Sequence, residues 1–261
     1  MNLDLQNKII IVTGGAKGIG EGIVRVLAAE GAVPVIIGRD ATDNQKLVDE
    51  LQGTGQKADQ FAAELADPNA CKAAVDYVLI KYGRIDGLVN NAGKNDGVGL
   101  EKGGYEDFMA SLHRSLVHYY LMAHHALPAL IKSKGAILNI SSKTAETGQG
   151  NTSGYAASNG GRNALTREWA VELLKYGIRV NAIVVAECWT PQYATWIQTL
   201  PDPKAKLNSI NKRIPFENRM TTPEEIAYTT AFLLSNKSSH TTGQLIHVDG
   251  GYVHLDKTIT E

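Results

Sequence analysis

Lys8-Ile9-Ile10-Ile11-Val12-Thr13-Gly14-Gly15-Ala16-Lys17-Gly18-Ile19-Gly20 sets the architecture of this chain. Its first half is a near-continuous apolar run, as expected of a strand covered on both faces in a parallel sheet. Glycines follow, and then Ile19, Ile23, Val26 and Leu27 fall at helical spacing up to Gly31, a glycine stop beyond the last periodic residue. A glycine turn between a strand and a helix lets the backbone approach a pyrophosphate, to which the helix start offers free N–H groups and the positive end of its dipole. Such turns also serve plain geometry, but this placement makes the nucleotide reading the stronger one. No Gly-x4-Gly-Lys-Ser/Thr occurs, which disfavours an ATP-type phosphate loop.

Outward from that unit the period keeps switching between short β-branched runs and longer helical stretches, the pattern of stacked βαβ units. Val35-Ile36-Ile37 reads as the second strand, with Pro34 at its beginning, and a short helix follows around residues 45–51. Asp67-Pro68 is a cap-plus-proline helix start, with that helix running to about Tyr82 and Gly83 beyond it. Further strands are expected at residues 85–90, 136–141, 180–185 and 244–248, with long helices on either side of the Ala136 strand and a last helix started by Thr222-Pro223. Between Ala186 and Thr222 the pattern breaks at Pro191, Pro201, Pro203 and Pro215, which reads as short helical fragments forming a mobile cover over a site. The expectation is one domain over residues 1–261: an α/β, Rossmann-type, doubly wound parallel sheet of about seven strands in three layers.

The chain has 261 residues, of which 43% are hydrophobic and 20% charged, ordinary usage for a folding chain. Lys and Arg number 26 against 27 for Asp and Glu, a net charge of -1 with no block of like charge, which takes away most of the support for nucleic-acid binding through a basic face. No apolar run approaches the roughly 18 residues of a membrane span, and the start carries no basic-then-apolar leader, so a cytoplasmic protein is expected. Cys71 and Cys188 lack metal or disulfide spacing, and no metal is expected. His124-His125 are adjacent, ~100° apart around a helix, and so cannot share an ion as an i, i+4 pair could.

Two further segments stand at strand ends, where ligands bind in doubly wound sheets. Asn90-Asn91-Ala92-Gly93 closes the fourth strand, and Ser141-Ser142 closes the fifth, with Tyr155 in the first turns of the next helix. Each alone has an ordinary reading as a turn, a strand end or a surface tyrosine. A phenol, ordinarily titrating near ~10, exchanges a proton with an alcohol or carbonyl only where its surroundings favour the phenolate.

In order and spacing, Thr13-Gly14, Gly18, Gly20, then Asn90-Asn91-Ala92-Gly93, then Ser142, then Tyr155, then Val248-Asp249-Gly250-Gly251, the chain resembles the short-chain dehydrogenase/reductase family along essentially its whole length. More narrowly, the segments 95–100, 141–155 and 165–170 are similar to bacterial sugar-oxidising members, the L-fucose dehydrogenases. The resemblance implies hydride exchange between a nicotinamide and a carbinol carbon, with Tyr155 as acid/base and Ser142 steadying the oxygen. It also implies a lysine four residues after the tyrosine and an asparagine on the preceding long helix, where this chain has Asn159 and Ser115. The family's Pro-Gly after the sixth strand is Val185-Ala186 here. Residues four apart on a helix share a face, so a lysine at 159 would set a cation beside the phenol. Such a cation lowers an acid's pKa by ~1 to 3 units, so an amide there forfeits roughly 10- to 1000-fold in phenolate population. Asn159 retains the capacity to hydrogen-bond a cofactor ribose, and Lys143 is the nearest cation in sequence. Two readings stay open: a sugar or polyol dehydrogenase of reduced or altered activity, and a cofactor-binding homologue that no longer does the chemistry, as a sensor or silent subunit.

Within the resemblance, the cofactor residues are Gly14, Lys17, Gly18, Ile19, Gly20, Arg39, Glu64, Leu65, Asn90, Ala92, Gly93, Tyr155, Asn159, Cys188 and Thr190. The second strand ends Ile37-Gly38-Arg39-Asp40, with no acid at 38 for a ribose 2′-hydroxyl and with Arg39 and Lys17 available to a 2′-phosphate, so NADP(H) is favoured over NAD(H). Asp40 restrains that preference, since a small backbone shift would bring its carboxylate to the ribose. Glu64-Leu65 stands for the adenine contact, and Cys188 and Thr190 for the nicotinamide amide. Asn95, Gln149, Asn151, Glu187 and Trp189, with Ser142 and Tyr155, fit a polyhydroxylated ligand, which needs several polar partners and an apolar face. Tyr119-Tyr120 and Trp169 are expected in the core or in a subunit contact. Tetrameric relatives imply a homotetramer in which the tail from Tyr252 docks on a neighbour.

Overall fold

The computed structural model describes residues 2–256; the last part of the tail assigned to a subunit contact lies outside the described residues. The quoted stretch forms β1 (Ile9–Thr13), a glycine turn and α1 (Gly18–Ala29). All five β1 residues are buried, because β1 pairs in parallel with β2 (Val33–Gly38) on one side and β4 (Gly87–Asn90) on the other. The remaining strands are β3 (Asp59–Ala62), β5 (Ala136–Ser142), β6 (Arg179–Val185) and β7 (Leu245–Val248), all parallel, in the order β3-β2-β1-β4-β5-β6-β7. The chain thus builds outward from β1 in one direction, then returns to add β4 on the other side. That reversal opens a crevice beyond the carboxyl ends of β1 and β4.

Strand alternation divides the core into two layers. Ile10 and Val12 face one way, into a cluster with Ile23, Val24 and Leu27 of α1 and Ile226 and Ala231 of α9 (Pro223–Leu234). Ile9 and Ile11 face the other, with residues of α3 (Pro68–Tyr82), α5 (His118–Ser133) and α6 (Ser153–Glu172). Tyr119 and Trp169 are buried in that second layer, whereas Tyr120 is half exposed and stacked on His124. The helix starts follow the expected chemistry: Asp67 caps α3 ahead of Pro68, and Thr222 and Glu225 form a reciprocal capping box ahead of α9.

Two local expectations need correction. The helix expected over residues 45–51 is α2, Ala41–Gly53, because Asp40 caps it by accepting from the N–H groups of Thr42 and Asp43. Between 186 and 222 two of the four prolines start helices rather than interrupt them: Thr190-Pro191 opens α7 (Pro191–Ile197) and Asp202-Pro203 opens α8 (Pro203–Asn211), while Pro201 and Pro215 lie outside helices. The ends of this excursion are tied together by backbone bonds between Thr221 and both Glu187 and Trp189. Before α5, α4 (Tyr105–Leu112) runs into it through a π-turn over His113–Val117.

Candidate active site

Strand ends meet in three places along the crevice. At the first, the glycine turn is fastened to the end of β4. Thr13 Oγ1 accepts from the N–H groups of Asn91 and Ala92 at 2.9 and 3.1 Å, and Asn91 Nδ2 donates to the carbonyls of Thr13 and Gly14 at 2.9 and 3.2 Å. Gly14 and Gly18 take left-handed backbone, φ +63° and +57°, and a Cβ on Gly20 would lie 2.0 Å from the Gly14 carbonyl oxygen. No side chain caps the start of α1, so the turn and the helix dipole leave a cradle for an anion. Thr190 closes one wall of it: a Cβ on Gly18 would lie 3.2 Å from Thr190 Cβ. A dinucleotide pyrophosphate fits this cradle, with Gly14, Lys17, Gly18, Ile19 and Gly20 around it.

At the end of β2, Gly38 is pressed against Asn44, whose amide donates to the Gly38 carbonyl at 2.9 Å. A Cβ at 38 would meet Asn44 Oδ1 at 2.8 Å, so an acid here would have to displace the Asn44 side chain. Asp40, held back in the sequence argument, is committed as the α2 cap, which together with Lys17 and Asp43 holds its carboxyl below the usual carboxylate range. Lys17 is ion-paired with Asp43, which leaves Arg39 as the looser cation, 4.0 Å from Glu64 and exposed. Glu64 also accepts from the N–H of Ala66, and Leu65 is buried beside it.

Asn90 departs from its expected place. Its side chain is fully buried and donates to Asn139 Oδ1 and the Tyr119 carbonyl, so the amide that fastens the crevice is that of Asn91. Ala92 and Gly93 stay at the rim. Cys188 is buried, forms a parallel bridge with Thr221, and has its thiol pushed up to about 12 by burial and the nearby Glu224 and Glu225. Thr190 caps α7 by accepting from Tyr193 N–H at 3.2 Å.

The second convergence joins β5 to α6. Ser142, the last residue of β5, accepts from Thr144 N–H, which leaves its hydroxyl hydrogen to donate. Tyr155 is the third residue of α6 and is half-buried; Gly154 beside it lets α6 approach Ser111 of α4 closely. Asn159 is enclosed by its own neighbours. It is 0% exposed, Nδ2 donates to the Tyr155 carbonyl at 2.8 Å and reaches Thr144 Oγ1 at 3.4 Å, and Oδ1 accepts from Arg162 Nη1 at 2.9 Å. Ser115, in the π-turn, is also buried; its hydroxyl exchanges bonds with the backbone of Lys94, while its carbonyl accepts from Arg162 Nε at 2.8 Å and Nη2 at 2.5 Å.

Sequence reasoning missed Arg162. Seven residues is two helical turns, so Tyr155 and Arg162 lie on one face, a spacing that was there to be read. The Arg162 guanidinium carbon lies 4.2 Å from the Tyr119 ring centroid and 5.9 Å from that of Tyr155.

The third convergence is on the substrate side. Lys143, suggested as a substitute cation, is instead ion-paired with Glu187 and sits 4.0 Å from the Tyr252 ring centroid. Glu187 also holds the Tyr193 hydroxyl, whose titration burial and that carboxylate push well upward. Tyr193 in turn packs against Trp189 and Trp196, at ring-centroid distances of 6.0 and 5.1 Å. Asn95 accepts from Gly97 N–H in its own loop, and Gln149 and Asn151 are exposed, Asn151 at φ +54°. Glu146, His247 and His254 bring three possible ligand atoms within 4.8 Å of one another, but His247 and Glu146 already bond each other at 3.1 Å.

Comparison with known proteins fits this geometry. A solved structure described as that of Cj0485 dehydrogenase superposes with a TM-score of 0.94 at 44% identity over 100% of both chains. The 3-oxoacyl-[acyl-carrier-protein] reductase FabG of Thermotoga maritima is 38% identical, covering 95% of this chain and 99% of its own. The L-fucose dehydrogenase of Bos taurus is 34% identical, covering 96% and 91%. The family model described as enoyl-(acyl carrier protein) reductase matches residues 14–253, which spans all three convergences. By the extent of these matches, the chain belongs to the short-chain dehydrogenase/reductase family of nicotinamide-dependent oxidoreductases.

Proposed function

We propose that the protein is an NAD(P)-dependent dehydrogenase of a sugar or polyol carbinol, with an L-fucose-like aldose as the favoured substrate and NADP(H) as the favoured cofactor. The observation that carries this reading is the buried Lys143–Glu187 pair beside Ser142, walled by Tyr193 and Tyr252. A desolvated ion pair with aromatic faces suits a ligand that offers hydroxyls and C–H faces together. An acyl chain would leave both charges facing hydrocarbon, at a cost of several kcal/mol. The 34% identity to an L-fucose dehydrogenase supports the same choice.

When bound, the nicotinamide supplies the acceptor for the carbinol hydride. The remaining work belongs to the chain. Ser142 donates its hydroxyl hydrogen to the substrate oxygen and holds it. Tyr155, as phenolate, takes the hydroxyl proton as C–O becomes C=O, and returns it in the reverse direction. Lys143 and Glu187 bind and orient the neighbouring hydroxyls. Arg39 is the cation for the 2′-phosphate. Exposed Tyr120, Val171, Leu174 and Tyr228 add apolar surface that supports the homo-oligomer part of the reading.

The test is nicotinamide reduction with a panel of aldoses and polyols, run beside 3-oxoacyl thioester reduction, for this chain and for Asn159→Lys. Turnover of an aldose supports the reading. No turnover in either protein with intact cofactor binding defeats it in favour of the non-catalytic homologue.

A further inference from the structure

We propose that Arg162 is the positive charge that favours the phenolate form of Tyr155 in this chain, supplied from two turns along α6 instead of one. The inference rests on the reading of Tyr155 as the acid–base group and deepens it, by making Arg162 a positioning residue that acts through Tyr155.

The guanidinium is buried, yet among the described residues no carboxylate pairs with it. Its acceptors are the carbonyls of Ser115 and Ile140 and the amide oxygen of Asn159. These account for four of its five N–H groups and fix its plane. The fifth is on Nη2, which would lie 2.6 Å from a Cβ on Gly93, at the rim of the crevice. An arginine keeps its proton even when buried, so carbonyl dipoles hold a full charge here without neutralising it. Ser115, whose carbonyl accepts from Arg162, lies in the π-turn.

The other charged and titratable groups around this charge do not compete for it. On α5, burial and Arg162 keep the His118 imidazole neutral, with a pKa down at about 3, and burial pushes the Tyr119 hydroxyl upward. Tyr119 is further committed to the Ile140 carbonyl at 3.0 Å. Beyond β5, Lys143 is matched by Glu187. Toward α4, Asp96 is matched by Arg114 at 2.8 Å, and α4 presents Ser111 to α6. Among the described residues, Tyr155 is the remaining acid with its ring near the guanidinium, 5.9 Å from the guanidinium carbon. Asn159 then has a use that a lysine would not serve: its Oδ1 accepts from Arg162 and its Nδ2 bonds the Tyr155 carbonyl, joining the two residues.

The experiment needs no substrate. The phenolate absorbance of the intact protein is titrated with pH, and the step missing from Tyr155→Phe is that of Tyr155. In Arg162→Leu this step is expected to move to higher pH by about 1 to 3 units, a roughly 10- to 1000-fold loss of phenolate at fixed pH. In the double variant Arg162→Leu with Asn159→Lys, which sets the cation one turn earlier, it is expected to move back. The acidic limb of kcat/KM for carbinol oxidation should follow the same displacement. Arg162→Gln replaces Arg162→Leu if the latter does not fold by circular dichroism. A step that stays in place when the charge is removed, or that fails to return in the double variant, overturns the inference. A step that moves in a protein that oxidises no carbinol upholds the charge assignment and defeats only the proposed activity.

Discussion

Removing the anion from beneath Lys143 separates substrate recognition from simple packing. In Glu187→Gln the ammonium group stays where it is, its side chain only 9% exposed, with no charged partner. Breaking a buried pair by deleting one member costs about 3–5 kcal/mol. The Tyr252 ring, 4.0 Å away, continues to hold the cation and offsets about 1–2 kcal/mol. The net loss is roughly 1–4 kcal/mol, and at ~2–4 °C per kcal/mol for a domain near this size, Tm falls by ~2–16 °C. Thermal unfolding should be followed by circular dichroism without cofactor, since a ligand bound to the native state would mask the change. Replacing both members, Lys143→Met with Glu187→Leu, removes the two desolvated charges together and should return stability to within about 1 kcal/mol of the parent. The aldose KM should nevertheless rise in that stable double variant. An unchanged Tm in Glu187→Gln, or an unchanged aldose KM in the double variant, would refute the argument that this pair is buried for the sake of a polar ligand.

Two other outcomes follow from the same geometry. Arg39 is only loosely engaged by Glu64, so Arg39→Ala should weaken NADP binding by about tenfold, ~1.5 kcal/mol, and leave NAD binding unaltered; equal effects on the two dissociation constants would contradict the 2′-phosphate assignment. His118 is held neutral in the fold, its pKa lowered from 6.5 to about 3, while the unfolded chain takes up a proton below 6.5. The unfolded state therefore binds more protons between those values, and stability should fall as pH drops through that window, by about 1.4 kcal/mol per unit once well below 6.5. His118→Asn should flatten this slope between pH ~6 and ~5, read from urea midpoints, and an undiminished slope would show that the proton goes elsewhere.

What was legible in the sequence is what depends on neighbours along the chain. The Ile9–Thr13 run, its glycine turn, and the cap-plus-proline starts at Asp67 and Thr222 all carry their reasons locally, and the fold has them in place. β3, whose Asp59-Gln60-Phe61-Ala62 is short and half-buried on the sheet edge, has no such pattern, and no limits could be given for it. The proline-rich stretch after Ala186 misled because a proline reads alike as a stop and as a first helical residue; Thr190 and Asp202, the caps, decide between them. At the site, the glycine turn could be picked out from its place between a strand and a helix, and Ser142 and Tyr155 through the family resemblance. The state of Asn159 could not, because its side-chain partners are Thr144, just beyond β5, together with Tyr155 and Arg162 of α6. Nor could Lys143 be seen to belong to Glu187, 44 residues on, since only the adjacent ends of β5 and β6 bring them together.

The most direct measurement is initial-rate nicotinamide reduction by the wild-type chain with L-fucose and other aldoses, in parallel with Tyr155→Phe and with cofactor binding measured separately for both proteins. The account predicts aldose-dependent reduction in the wild type and a roughly 100- to 10,000-fold loss in Tyr155→Phe at undiminished cofactor affinity. Reduction of a 3-oxoacyl thioester without oxidation of any aldose, or aldose turnover that survives in Tyr155→Phe, would contradict it.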